Sequence, residues 1–202
     1  MTGARRDGLA RREAILDAAL ECFVARGVLA TGIEDVRRAA GASPSSIYHL
    51  FEGMPGIVAA LLERTFARLF GQIARRVARA KTAEATVRAL VAAHLDWVLA
   101  NPDEARVMYQ AMTLELAKDH AAALAARKAE LLAPVVVHAA RFIAAGELPR
   151  WSPLVLDVVL LGASHEACRR WLGGAEIDPR WMRRTLPGLA WASIEGRVRR
   201  AR

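Results

Sequence analysis

Cysteine is nearly absent: Cys22 and Cys168 are the only two, far apart in the chain. Neither has a Cys or His nearby at metal-ligand spacing, so no disulfide framework and no zinc site is indicated. Two buried, reduced thiols are expected instead. Long apolar runs are missing too. Although 54% of the residues are hydrophobic, no stretch of about 18 is free of charge, so no segment is expected to span a bilayer. The first dozen residues are basic, but the amphipathic segment after them carries Glu13, Asp17 and Glu21, which does not fit a signal peptide. A soluble, cytoplasmic chain is expected. There is no glycine-rich phosphate loop, and His165-Glu166 lacks a second His four residues after the first. His94, His120, His138 and His165 are dispersed. With no nucleophile, base and orienter at recognisable spacing, neither an enzyme nor a bound cofactor or metal is expected.

Charge is present in excess, at +8 net, but its position matters more than its sum. Residues 1–53 are neutral, with 7 arginines against 7 acids; residues 54–82 carry +5, 83–150 carry −1 and 151–202 carry +4. A bulk-charge argument for nucleic-acid binding is therefore weak, and local pattern has to decide.

That pattern is helical almost throughout. Alanine, leucine, valine and arginine dominate, β-branched residues seldom follow one another, and apolar residues recur at helical spacing, which predicts an all-α fold. A first helix is predicted over 9–26, with Ile15, Ala19 and Phe23 four apart and Gly27 ending it. Thr31 is placed to cap a short second helix in which Ile33, Val36 and Ala40 face inward, and Gly41 stops it. Ser43 can cap a third, with Pro44 at its first position. Two short helices joined by Gly41-Ala42-Ser43 make a helix-turn-helix. Pro55 and Gly56 should then break the chain before a long helix over about 56–79. Further helices are predicted near 83–100, 102–117, 119–145, 152–173 and 178–197. Pro134 and Pro187 should kink or divide theirs.

Taken together, Ile15-Leu16-x-Ala18-Ala19, Phe23 with Gly27, Thr31-x-Ile33, Ala40-Gly41-Ala42-Ser43 and Ile47-Tyr48-x-x-Phe51 resemble the N-terminal domain of the TetR (tetracycline-repressor-like) family. The resemblance covers about fifty residues closely and the rest only in architecture. It implies a helix-turn-helix DNA-binding domain over 1–53 and a helical ligand-binding and dimerising domain over 54–202. A capped helix of about two turns fits the major groove, and small polar side chains at its start permit close approach. Ser45, Ser46 and His49 are the expected base-edge contacts. Tyr48 resembles the family's phosphate-contacting tyrosine, and Thr31 stands where the second helix can meet a phosphate. For Thr31, Ser43, Ser46 and Tyr48 a capping or packing role is the competing reading. Arg5, Arg6, Arg11 and Arg12 form a basic arm able to follow the backbone or enter the minor groove, or simply to remain solvated.

Four positions depart from the family pattern. Arg37 replaces a small residue packed against the third helix, and Glu34 stands at a position commonly basic. Leu50 replaces a histidine, and Met54 a lysine that opens the fourth helix. Each is expected to weaken DNA binding, the last by loss of a phosphate contact.

In the body, the resemblance implies a cavity whose occupant changes the spacing of two DNA-binding heads. Phe66, Phe70, His94, Trp97, Met108, Tyr109, Met112, His138 and Phe142 are candidate lining residues, an ordinary core being the alternative. Leu156, Leu160, Ser164, Ala167, Cys168 and Trp171, with Trp191 on the last helix, resemble the family's four-helix dimer interface, the alternative being an internal core helix. The expected function is a homodimeric transcription regulator, a repressor, which leaves a pseudo-palindromic double-stranded operator when a small hydrophobic or aromatic effector binds. The alternative is a ligand-binding or protein-interaction dimer that has lost DNA binding.

Overall fold

The computed structural model describes residues 3–114 and 118–198, with side chains over 6–114 and 118–196. Among them every regular element is helical: α1 (Gly3–Arg26), α2 (Ile33–Ala39), α3 (Pro44–Leu50), α4 (Gly53–Val77), α5 (Ala83–Ala100), α6 (Pro102–Ala111), α7 (Lys118–Ala144), α8 (Pro153–Leu172) and α9 (Pro179–Val198). The all-α expectation is met.

Two compact units contain these helices, one formed by residues 1–65 with 103–127 and the other by 66–102 with 128–202. In the first, Ile15, Leu16, Ala19 and Phe23 of α1 are buried along the predicted stripe, together with Val36 of α2, Ile47 of α3, and Ile57, Leu61 and Leu62 of α4. One buried residue from each of the short helices suffices to seat them. Removing a large one such as Phe23 would cost about 3–5 kcal/mol through lost transfer energy and the cavity left behind.

The second unit is built round α5, nine of whose eighteen residues are buried. α8 and α9 both pack against it and against each other. Phe66, Leu69, Phe70, Ile73 and Val77 bury one face of α4's later turns, with the Phe66 and Phe70 rings 5.6 Å apart.

The structure corrects several boundaries. α1 begins at Gly3, so the basic residues expected in a loose arm lie on its first turns. Pro55 does not break the chain. It sits in the first turn of α4, where backbone N–H groups have no partner within the helix in any case. Pro134 and Pro187 lie inside α7 and α9 without dividing either. Pro134 is among exposed residues, where water can serve the carbonyl left without a donor. Pro187 is itself buried between buried Leu186 and Ala190, and that packing offsets its missing bond. α6 closes at Ala111, short of the expected 117, which falls outside the described residues.

Candidate nucleic-acid interface

The turn between α2 and α3 is built from backbone geometry that the sequence supplies. Gly41 takes φ +57°, a left-handed conformation that disfavours any side chain. Its N–H donates to the Arg38 carbonyl at 3.2 Å and the Ala42 N–H to the Arg37 carbonyl at 3.0 Å. This pair of bonds is the Schellman arrangement, which satisfies the last carbonyls of α2. Ser43 then caps α3, its Oγ accepting from the Ser46 N–H at 3.2 Å, with Pro44 in the first turn. Both expectations for this helix start are met.

Thr31 is different. It is buried, its hydroxyl donating to the Gly27 carbonyl at 2.8 Å and lying 3.3 Å from that of Cys22. The N-cap of α2 is Gly32, whose N–H donates to Asp35 Oδ2 at 3.0 Å. Thr31 therefore closes the end of α1, its hydroxyl engaged with backbone carbonyls of that helix end. A polar side chain one residue before the cap could not be told from the cap by sequence.

On α3 only Ile47 is buried; Ser45, Tyr48 and His49 are exposed and Ser46 is half-buried. The Ser43 hydroxyl lies 2.8 Å from that of Ser46 and 3.1 Å from that of Ser45. The structure thus brings Ser43, Ser45 and Ser46 into one hydroxyl network and leaves Tyr48 and His49 pointing outward on the same short helix. Arg6 is exposed on α1. Arg5 is part of α1, but its side chain lies outside the described residues.

The departures Glu34 and Arg37 turn out to engage each other. Arg37 Nε donates to Glu34 Oε2 at 2.8 Å, its Nη2 takes the other oxygen, and its Nη1 donates to the Ala42 carbonyl at 3.0 Å. Those bonds hold the Glu34 carboxyl below its ordinary pKa and raise that of the guanidinium. Arg37 lies along the turn and does not crowd α3. Asp35 is likewise held down, first by the Gly32 N–H and then by Arg26, which pairs with it at 3.1 Å. Arg64 of α4, which sequence reasoning did not single out, donates to Glu13 at 3.1 Å and Asp17 at 2.7 Å, tying α4 to α1.

Of the expected pocket residues, Phe66, Phe70, His94, Trp97 and Phe142 are buried in the second unit. His138 is half-buried there; its Nε2 lies 3.3 Å from the Thr86 hydroxyl and accepts from Arg141 at 3.2 Å. Burial and the Arg141 charge lower its pKa. In the first unit Met108 is buried and Tyr109 half-buried. Met112 is 51% exposed beyond the end of α6, which corrects its expected place on a shared lining face with Met108. The His94 and His165 rings meet edge to face at 4.6 Å. Burial, with the neighbouring His165, pushes the His94 pKa down to about 3. These two histidines, on α5 and α8, read as dispersed because nothing in the sequence reports which helices pack together.

The expected dimer residues divide. Leu160, Ser164, Ala167 and Cys168 are buried within the subunit, so they pack α8 inward. The small side chains of Ser164, Ala167 and Cys168 serve close packing inside the second unit. Burial also raises the Cys168 thiol to about 12. Leu156, Trp171 and Trp191 are half-buried. The exposed apolar residues of these helices are Leu154, Val155 and Val158 on α8, and Trp181 and Leu189 on α9. Among the described residues no helix is long and apolar enough to cross a membrane, and no group of three or more His, Cys, Asp or Glu could hold a metal ion.

A capped, exposed second helix after a Schellman turn, in one compact unit with α1 and the start of α4, defines a helix-turn-helix module. Residues 15–61 match the family of bacterial regulatory proteins, tetR family. The HTH-type transcriptional repressor KstR2 of Rhodococcus jostii (strain RHA1) is 37% identical over 81 residues, 40% of this chain and 40% of that repressor. The chain thus matches about two fifths of that curated relative's length. A TetR family transcription regulator from Marinobacter aquaeolei VT8 shares the fold with a TM-score of 0.72 at 19% identity, over 95% of this chain and 98% of that one. FadR from Bacillus subtilis, in complex with stearoyl-CoA, does so with a TM-score of 0.72 at 16% identity, over 90% and 98%. Residues 15–61 thus form a domain of the tetR type, and the chain as a whole is similar in fold to solved tetR-family regulators.

Proposed function

We propose that the chain is a cytoplasmic transcription regulator, a repressor, that binds a pseudo-palindromic DNA operator as a homodimer and releases it when a small hydrophobic molecule occupies the body. The functional division falls near residue 53, between the head and the helices of the body. The observation that carries this reading is α3, which buries Ile47 and exposes Ser45, Tyr48 and His49. Such a helix offers short polar groups to base edges and a phenol to a phosphate. Two copies joined through the exposed apolar residues of α8 and α9 would present two such helices to two half-sites.

The effector acts by population shift, so it must bind the non-binding arrangement of heads more tightly than the binding one. The aromatic interior of the second unit, with Phe66, Phe70, Trp97 and Phe142 buried, favours an apolar chain or ring system. That a FadR of the same fold was crystallised with stearoyl-CoA supports an acyl chain as the first class to test.

Fluorescence anisotropy with a labelled duplex from upstream of the chain's own gene, at two salt concentrations, tests the reading. Binding that weakens steeply with salt is expected. Absence of binding at low salt overturns it and favours a dimer that has lost DNA binding, a reading motivated by the neutral head and Met54. On that second account Met54→Lys creates DNA affinity where there was none.

A further inference from the structure

We propose that Arg11, held against α3 by Ser46, is a phosphate-contacting residue of this head and supplies the cation that Met54 does not; this rests on the DNA-binding reading above. The head is neutral in sum, and most of its arginines are occupied. Arg12 pairs with Glu13 at 3.7 Å and covers the Phe51 ring, Arg26 and Arg38 pair with Asp35, and Arg37 pairs with Glu34. Arg11 is exposed, and among the described residues its side chain's one partner is Ser46. It is also not loose. Because α1 extends back to Gly3, residue 11 is well inside a helix, and its Nη1 donates to Ser46 Oγ at 3.2 Å. Ser46 is itself fixed, its hydroxyl 2.8 Å from that of Ser43 and its N–H bonded to the same oxygen.

The placement on α3 decides what Arg11 meets. At about 100° per residue, Ser45 and His49 lie nearly opposite the buried Ile47, with Tyr48 at one edge of that outward face and Ser46 at the other. A helix seated in the major groove has a sugar-phosphate backbone on each side and base edges ahead. Tyr48 and the Ser46-held guanidinium therefore stand at the two edges where phosphates run, and Ser45 and His49 stand between them. A guanidinium has five N–H donors. One serves Ser46, which leaves others to meet a phosphate in a fork geometry. Ser46 acts as a positioning residue, and Arg11 makes the contact.

The test uses the full chain, the labelled duplex from upstream of its gene and a scrambled duplex of the same composition, with Kd measured across a salt series. Arg11→Ala should weaken binding to both duplexes by the same factor, about tenfold, and reduce the salt slope by about one. Arg11→Lys should keep the slope. Arg11→Gln retains a donor for Ser46 without the charge: a purely structural role predicts wild-type behaviour, whereas the phosphate contact predicts the lower slope. Ser46→Ala should keep the slope and weaken binding a few-fold. An unchanged slope in both Arg11→Ala and Arg11→Gln overturns the proposal, as does weakening confined to the upstream duplex, which would make Arg11 a base reader. Failure of the unmodified chain to bind either duplex is a different result and overturns the DNA-binding reading itself.

Discussion

Arg37 and Ala42 are bonded in both directions: the Ala42 N–H donates to the Arg37 carbonyl at 3.0 Å, and Arg37 Nη1 donates to the Ala42 carbonyl at 3.0 Å. A residue that reads as an obstacle to packing thus stiffens the turn that aims α3. Arg37→Ala should lower the melting temperature by a few degrees and weaken DNA binding without changing its salt slope, because no phosphate contact is lost. Glu34→Arg should also destabilise the head, since it sets two guanidinium groups against each other and draws Arg37 off the turn. Circular dichroism melts alongside the anisotropy series check both; a lowered salt slope in Arg37→Ala would assign Arg37 to the DNA instead.

Thr31 separates a structural from a binding role. Thr31→Val keeps the shape and removes the hydroxyl that serves the Gly27 carbonyl at 2.8 Å. Leaving that carbonyl underserved in a buried setting should cost about 1 kcal/mol of stability, read by urea unfolding. The salt dependence of DNA binding should not move. A drop in slope of about one would show a phosphate contact after all.

Acid should loosen the second unit through His94. Unfolded, its imidazole takes a proton near 6.5; folded, burial beside His165 lowers that to about 3. Between those values the unfolded chain holds the extra proton, so stability is complete above about pH 6.5 and is lost as pH falls, by about 1.4 kcal/mol per unit for one such group. His165 and His138, also lowered mainly by burial, act in the same direction. Denaturant midpoints from pH 7 to pH 4 should fall in the native chain and fall less in His94→Gln. Equal slopes in the two would remove His94 as the cause.

The exposed apolar residues of α8 and α9 test the dimer. Val158 is 63% exposed and Leu189 52%, so a charge at either costs the lone subunit little. Val158→Glu with Leu189→Glu should shift the mass by light scattering from twice 22.0 kDa to 22.0 kDa and abolish tight operator binding. Leu160→Glu, at a buried position, should unfold the subunit instead. A doubly substituted chain that stays dimeric would place the interface elsewhere.

Much of the head is legible in the sequence because its determinants are local. Gly27 and Gly41 both adopt positive φ where the sequence predicts stops, and Ser43-Pro44 announces the start of α3 by a cap and a first-turn proline. A stripe at helical period likewise assigns Ile15, Ala19 and Phe23 to the core without knowledge of any contact. Where neighbouring residues compete for one local role the reading fails, and Thr31 reads as the cap that Gly32 provides.

By itself, then, the sequence determined that the chain is helical, where α1 and α2 stop, how α3 is capped and which stripe of α1 is buried, since these depend on residues within a turn or two of one another. Only the tertiary structure decided what the polar side chains do. Whether Arg37 meets Glu34 and Ala42 or the DNA, whether Arg11 reaches Ser46, and whether Ser164 and Cys168 face a partner or α8's own neighbours depend on which helices pack together and at what rotation. A periodic pattern shows that a face is buried, and is silent on what buries it.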